Sequence, residues 1–382
     1  MKKIGFSGSL DPITNGHLWV IGEARRIADE VVVFISENPF KKCHFTAEER
    51  RRIVLDSCKE QGWNDVSVVL VKGDYTARTA KRFGVEYLIR GIRNNADFDY
   101  ENLLQQANVE VVDGAKTMFV MPPRDLGSVS STFVRGLQGP VGWHWLSKKF
   151  IPRAAYQAWI EDWLRREWYD LWSDERFSTE MQRSRQDAWL QNLFTAYSGA
   201  NRHYHNLDHL VHGLTELKVY GAHHELSGES MRTLQLAFWF HDYIYAGAGS
   251  VCDEEASALA WLDSQLDEDN AVAIAQLIRA SNHGANIERQ TPLHQILVGA
   301  DLAILGQPEN VYATYAAGIR LEYQHVSDDV YCHARQRVLQ AMLEKNRLGT
   351  LFEGPYFAGL YQDAAVRNLR SEIHHLETTK RV

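Results

Sequence analysis

FSGSLDPITNGH, residues Phe6 to His17, leaves an apolar run, turns at Gly8 and re-enters amphipathic sequence near Gly16. It reads as a strand, a loop and a helix start in direct succession. Glycine permits the turn, and a helix N-terminus offers unpaired amide donors together with the positive end of the helix dipole, so the loop suits a phosphate. Ser9 adds a hydroxyl and His17 an imidazole facing the anion. Taken alone, Gly8, Asp11, Pro12 and Asn15 make no more than a turn. The surrounding pattern extends the reading. EVVVFIS (30–36) and VSVVLV (66–71) are almost wholly apolar and β-branched, and they alternate with amphipathic stretches beginning near Gly16 and Ala47. Such runs are expected of strands covered on both faces, which predicts an α/β fold with a parallel sheet. Strands are expected over Lys3–Phe6, Glu30–Ile35, Val66–Val71 and Thr117–Met121. After the last, SVSSTFVRGL places hydroxyl residues at a helix start.

GSLDPITNGH resembles the GTFDPITNGH signature of phosphopantetheine adenylyltransferases, within the nucleotidyltransferases that carry an HxGH or TxGH motif. Ser9 keeps the hydroxyl of the family's Thr, and Leu10 replaces an aromatic residue. The likeness continues in the same order through NPFKKCHFTAEER (38–50), YLIRGIRNNADFDYE (87–101) and SVSST (128–132). It implies a Rossmann-like nucleotidyltransferase domain that transfers an adenylyl group from ATP, with Mg²⁺ arriving on the nucleotide. By the same resemblance Ser9, Lys41, Arg90 and Asn108 contact the acceptor and its phosphate, while Gly8, Ser9, His17, Arg93, Glu101 and the turn Ser130, Ser131, Thr132 contact ATP. His17, Lys41 and Arg90 carry the catalysis. No protein nucleophile is needed: transfer at phosphorus rests on positioning and on charge around the transition state. The bland alternative makes Arg90 and Arg93 surface ion-pair partners of Asp97, Asp99 or Glu101, and Lys41 and Lys42 a solvated charge run. The acceptor is 4'-phosphopantetheine by the PITNGH form. Nicotinamide mononucleotide is the alternative, and VKGDYTARTA (71–80) is only faintly like the family's segment for the pantetheine arm.

A stretch rich in Gly and Pro, GLQGPVGWHWLSKKFIP (136–152), precedes sequence in which strand signals vanish. The expected boundary lies near residue 157, giving domains 1–157 and 158–382. The second half reads as helical throughout, opening with AYQAWIEDWLRREWYDLW, whose Trp stripe is core by its spacing. Charge divides with it: of 41 Lys+Arg and 49 Asp+Glu, residues 1–156 hold 22 and 18, leaving 19 and 31, so the halves carry about +4 and −12. The acidic total argues against a nucleic-acid partner, no run is long and apolar enough for a membrane partner, and no secretory signal opens the chain, so a cytoplasmic protein is expected. Self-association into a homo-oligomer is left open. Four scattered cysteines predict free thiols.

Thirteen of the 16 histidines fall after residue 156. RHYHNLDHL (202–210) spaces His205 and His209 by four, LAFWFHDYIY (236–245) ends an apolar helix on His241 and Asp242, and GADLAILG (299–306) embeds Asp301 in apolar sequence. Each has a bland reading as a cap or a satisfied core residue. Burying an adjacent His-Asp pair is costly without compensation, and a metal ion would supply it. Their order resembles the HD superfamily of metal-dependent phosphohydrolases, and AILG and IRLEY extend the likeness over roughly 158–350. The resemblance implies an all-α HD-type domain with His209, His241, Asp242 and Asp301 as ligands of a divalent metal (Mn²⁺, Fe²⁺, Mg²⁺ or Zn²⁺). His205 is the proton donor, the two histidines of the YHNLDH segment being interchangeable at this stage. Arg202 and His283 would neutralise the phosphate of a nucleotide-like phosphoester, with Glu254 at the edge. The chain is then a bifunctional enzyme, the alternative being an HD domain that senses a nucleotide and regulates the transferase.

Overall fold

A computed structural model describes residues 2–37, 42–93, 95–108, 114–246, 253–282 and 291–379. Lys41 and His283 lie outside the described residues, as does Cys252; Cys43, Cys58 and Cys332 are free thiols. The chain forms two compact units, residues 1–163 and 164–382.

In the first unit, strands β1 (Lys3–Gly8), β2 (Glu30–Ser36), β3 (Val66–Val71), β4 (Tyr87–Gly91) and β5 (Lys116–Val120) make one parallel sheet in the order β3-β2-β1-β4-β5. Register runs Lys3↔Glu30 and Ile4↔Tyr87 from the central strand. EVVVFIS behaves as its composition demands, Val31, Val32, Val33, Phe34 and Ile35 all being buried under helices on both faces, whereas VSVVLV is the edge strand β3 and of its residues only Val71 is buried. Those helices are α1 (Asn15–Arg25), α2 (Ala47–Glu60), α3 (Thr76–Arg82), α4 (Asn95–Gln106), α5 (Arg124–Gly127), α6 (Ser131–Gly136) and α7 (Trp143–Phe150). Chain order reverses between β1 and β4, and in open α/β sheets such a switch point opens a crevice at the carboxyl ends of the strands. The Phe6–His17 loop leaves β1 there.

The Gly- and Pro-rich stretch is part of the first unit rather than a free linker. Its WHWLSKKF core forms α7, Trp143 is fully buried, and Asn15 Nδ2 donates to the Lys149 carbonyl at 3.1 Å. The division of units falls inside α8 (Arg153–Asp170), C-terminal of residue 157.

The second unit contains no strand among its described residues. It comprises α9 (Glu180–Tyr197), α10 (Leu207–His223), α11 (Gly228–Phe240), α12 (Asp253–Ser264), α13 (Ala271–Ala280), α14 (Pro292–Leu302), α15 (Glu309–Glu322), α16 (Asp328–Arg347) and α17 (Pro355–Thr379). Large aromatic residues fill its centre: Trp168, Trp239, Trp261, Phe238 and Phe240 are buried, and Trp168 meets Trp239 edge-on at 5.3 Å. Gly213 fixes how closely α10 and α11 approach, since a Cβ there would stand 1.8 Å from Phe238 Cζ. That approach sets the distance between histidines carried by the two helices. No helix among the described residues is long and apolar enough to cross a membrane.

Candidate active sites

In the first unit a cavity of about 640 Å³ opens at the carboxyl ends of β1 and β4. Its walls include Gly8, Ser9 and His17 from the first loop and helix, Arg90, Arg93 and Glu101 from β4 and α4, Asn108, and Ser130, Ser131 and Thr132 at the start of α6. Four segments far apart in sequence therefore meet around one space.

Local chemistry explains the loop. Thr14 caps α1, its hydroxyl accepting from the His17 amide, and His17 Nδ1 accepts from the Thr14 amide at 3.0 Å. This reciprocal cap fixes the tautomer by assignment from the network: with Nδ1 accepting, the neutral ring carries its proton on Nε2. Burial, then the positive charges of Arg93 and Arg90, hold the His17 pKa down to about 4. His17 is thus a neutral donor, suited to a phosphate oxygen without acting as a base. Asp11, buried beside it, accepts from the amides of His44 and Phe45 at 2.7 and 2.9 Å and so ties the loop to the segment leading into α2. Arg50 Nη1 donates to the Ser9 carbonyl at 2.6 Å, and Arg135 donates to that of Asp11.

The arginines serve both of the roles set against each other above. Arg90 is bidentate with Glu101, at 2.9 and 2.7 Å, and also donates to the Ser7 carbonyl. Arg93 pairs with Asp97 at 2.7 and 3.2 Å. Both line the cavity while so held, which orients the guanidinium groups instead of leaving them mobile. Ser130 caps α6 by accepting from the Phe133 amide, Ser131 donates to the Pro12 carbonyl at 2.7 Å, and Thr132 accepts from Arg135. Arg135 and Tyr75 line the cavity too, although neither stands out in the sequence.

The second unit gathers His205, His209, His241, Asp242 and Asp301 from α10, α11, α14 and the loops beside them. His209 Nε2 and His241 Nε2 stand 3.2 Å apart, each 3.5 Å from Asp301 Oδ1. Asp242 Oδ2 lies 3.0 Å from His241 and 3.4 Å from His209. Nitrogen and carboxylate atoms of His209, His241 and Asp301 all fall within 4.8 Å of one another, a spacing able to hold a metal ion. The second layer fits that role: His241 Nδ1 donates to the Phe238 carbonyl at 2.8 Å, which turns Nε2 toward the cluster. Burial works against charge on His241, and the carboxylates of Asp242 and Asp301 outweigh it and raise its pKa well above the ordinary range.

His205 is placed differently. Its Nδ1 meets Glu322 Oε2 at 2.8 Å, and its Nε2 stands 3.9 Å from Asp242. Burial lowers its pKa, and Asp242 and Glu322 more than reverse this, so the ring keeps its proton to higher pH than an ordinary imidazole. Glu322, at the end of α15, accepts the amides of His203, Tyr204 and His205 at 2.9, 2.7 and 2.9 Å, and Tyr245 donates to it at 3.0 Å. Despite burial, His205 and these amides hold its pKa at about 2. Glu322 has no assigned role in the sequence reading, although a carboxylate inside the apolar IRLEY stretch is a signal of the same kind as Asp301. Arg202 is directed elsewhere than expected. Its guanidinium donates to the carbonyls of His205, Asp242 and Tyr243 and lies over the rings of Tyr197 and Tyr245, ordering the loop instead of lining the cavity.

Residues 6–137 match the family model described as cytidylyltransferase-like. The phosphopantetheine adenylyltransferase of Chromobacterium violaceum is 36% identical over 157 residues, covering 41% of this chain and 94% of that protein. The enzyme of the same name from Neisseria meningitidis serogroup B is 35% identical over 156 residues (41% and 91%), and that from Haemophilus ducreyi 36% over 156 residues (40% and 91%). With nearly the whole length of such relatives represented, the chain, through its N-terminal part, belongs to the phosphopantetheine adenylyltransferase family.

Proposed function

We propose that the first unit transfers the adenylyl group of ATP to 4'-phosphopantetheine, and that the second is an HD-type metal-dependent phosphohydrolase acting on a phosphoester. The transferase reading is carried by the convergence of His17, Arg90, Arg93 and the Ser130–Thr132 turn on one cavity at the switch point of the sheet. A phosphate oxygen of the acceptor attacks the α-phosphorus of ATP, and the bond to the β,γ-pyrophosphate breaks. His17 Nε2–H and the held guanidinium groups of Arg90 and Arg93 meet the charge gathering on the phosphate oxygens. Mg²⁺ accompanies the nucleotide. Incubation with ATP, Mg²⁺ and 4'-phosphopantetheine should yield dephospho-coenzyme A and pyrophosphate in equal amounts. If no product forms and nicotinamide mononucleotide is adenylylated instead, the acceptor is wrong and the transfer chemistry stands.

The hydrolase reading is carried by the buried His209, His241 and Asp301 donors beside Asp242. A divalent cation there supplies positive charge to the phosphate oxygens and a more acidic water. His241 and His209 direct nitrogen lone pairs into the cluster. The His205 ring, oriented by Glu322 through Nδ1, offers its Nε2 proton to the leaving oxygen. Metal analysis of the purified chain should find about one divalent ion lost in Asp301→Ala. A chain that binds no such ion and cleaves no phosphoester would favour the nucleotide-sensing alternative.

A further inference from the structure

We propose that the second site takes an organic phosphoester with one phosphate group and an extended apolar arm, in preference to nucleoside di- and triphosphates. This rests on the hydrolase reading and deepens it. His205, His241, Asp242 and Asp301 line a cavity of about 720 Å³. The rest of its lining differs in character. Helix α16 turns Val330, Ala334, Val338 and Met342 toward the space, a stripe spaced by four residues on an otherwise strongly polar helix. From Val330 to Met342 the stripe runs twelve residue steps, about 18 Å along the helix, long enough to follow an extended arm. Val330 and Val338 are 59% and 46% exposed, so a ligand entering the cavity can reach both. Ile319 and Leu305 continue the apolar surface from neighbouring elements, and Tyr323 adds an aromatic ring.

Charge points the same way. Four carboxylates line the cavity: Asp242, Asp253, Glu254 and Asp301. Among the described residues its one Lys or Arg is Arg335, which is buried and bonded to Glu372 through Nε and Nη2 at 2.8 and 3.1 Å. A single phosphate needs only the cation at the cluster. The additional phosphates of a nucleoside triphosphate would meet carboxylates and valines. The first unit shows what this chain builds for a polyphosphate: His17, Arg90, Arg93 and Arg135 around one cavity.

The test uses the full chain loaded with Mn²⁺ and two readouts. Calorimetry measures binding of methyl-, butyl- and octylphosphonate, ATP and pyrophosphate, the heat abolished by Asp301→Ala being assigned to the second site. Phosphate release is followed with the matching alkyl phosphates. Affinity should rise by up to about fourfold per methylene until the stripe is covered. ATP and pyrophosphate should bind at least tenfold more weakly than octylphosphonate. Val338→Asp and Val330→Asp, both at exposed positions, should flatten the chain-length slope. Slope in binding without phosphate release would keep the ligand class and reject the hydrolase reading. Equal release from all chain lengths would keep the hydrolase and overturn the ligand class, as would tighter second-site binding of ATP. So would valine variants that keep the slope and only shift the sedimentation of the chain, since the stripe would then be an interface between copies.

Discussion

The two cavities solve opposite electrostatic problems. In the first, the chain supplies the positive charge itself. Arg90 and Arg93 line the space, each held by a carboxylate, and they help keep His17 neutral. In the second, the chain supplies carboxylates and buried imidazoles, and Asp242 and Asp301 raise the pKa of His241 well above the ordinary range. A site of the first kind can receive a polyanion from solvent at once. One of the second kind must first receive a cation. The contrast predicts that stripping the chain of bound cation before assay in fresh Mg²⁺ and ATP will spare the transferase and not the hydrolase, and that removing a positive side chain from the first cavity will do the reverse.

The largest effect should come from removing a donor at the cation site. Asp301→Ala should lower phosphoester hydrolysis by about a thousandfold or more, with metal content falling in step and adenylyl transfer unchanged. Arg90→Ala should lower adenylyl transfer by about a hundredfold while hydrolysis continues, because it removes a preorganised cation and leaves Glu101 unpaired; steady-state rates in both assays check this. Glu322→Gln should lower hydrolysis by about tenfold to a hundredfold at unchanged metal content, since it acts through His205 and the 203–205 amides; a kcat loss larger than any KM change would mark positioning of the proton donor. Gly213→Ala sharpens the comparison by packing alone. The added methyl meets Phe238, should destabilise the second unit by about 1–3 kcal/mol, and should bring its heat inactivation to lower temperature with the transferase unaffected.

The smallest effect concerns pH. His17 binds a proton near pH 6.5 when unfolded and near pH 4 when folded. Between those values the unfolded chain carries more protons, so this group's contribution to stability is present above pH 6.5 and is lost as pH falls toward 4. Transfer rates should show no acid limb from His17 down to about pH 5. An imidazole titrating near 6.5 by NMR would contradict the assigned cap and tautomer.

Legibility in the sequence followed the range of the interactions. Four of the five strands were readable from apolar, β-branched runs such as EVVVFIS, a property carried by consecutive residues; β4 (Tyr87–Gly91) was not, its short run being broken by Arg90. The start of α1 was nearly so: it begins at Asn15 with Thr14 as cap, one residue before Gly16. The strand order was not readable, since it depends on which strands meet across the whole unit. GPVGWHWLSKKF looked like a boundary by composition, and only the burial of Trp143 shows it packed into the first unit. At the sites, residue types found the participants and could not find their bonds. Arg90 was visible, its bidentate hold on Glu101 was not. Arg202 was visible too, but three carbonyls brought close by folding claim its guanidinium. Glu322 escaped because its partners, at residues 203–205 and 245, become neighbours only in the folded unit.

If one chain holds two chemically separate sites, paired assays of His17→Ala and His241→Ala should part them. Each variant would be given ATP, Mg²⁺ and 4'-phosphopantetheine in one vessel, and Mn²⁺ with an alkyl phosphate in another. The account predicts a crossed result: His17→Ala loses dephospho-coenzyme A formation and keeps phosphate release, and His241→Ala does the reverse. Loss of both activities in either variant, or of neither, would contradict it.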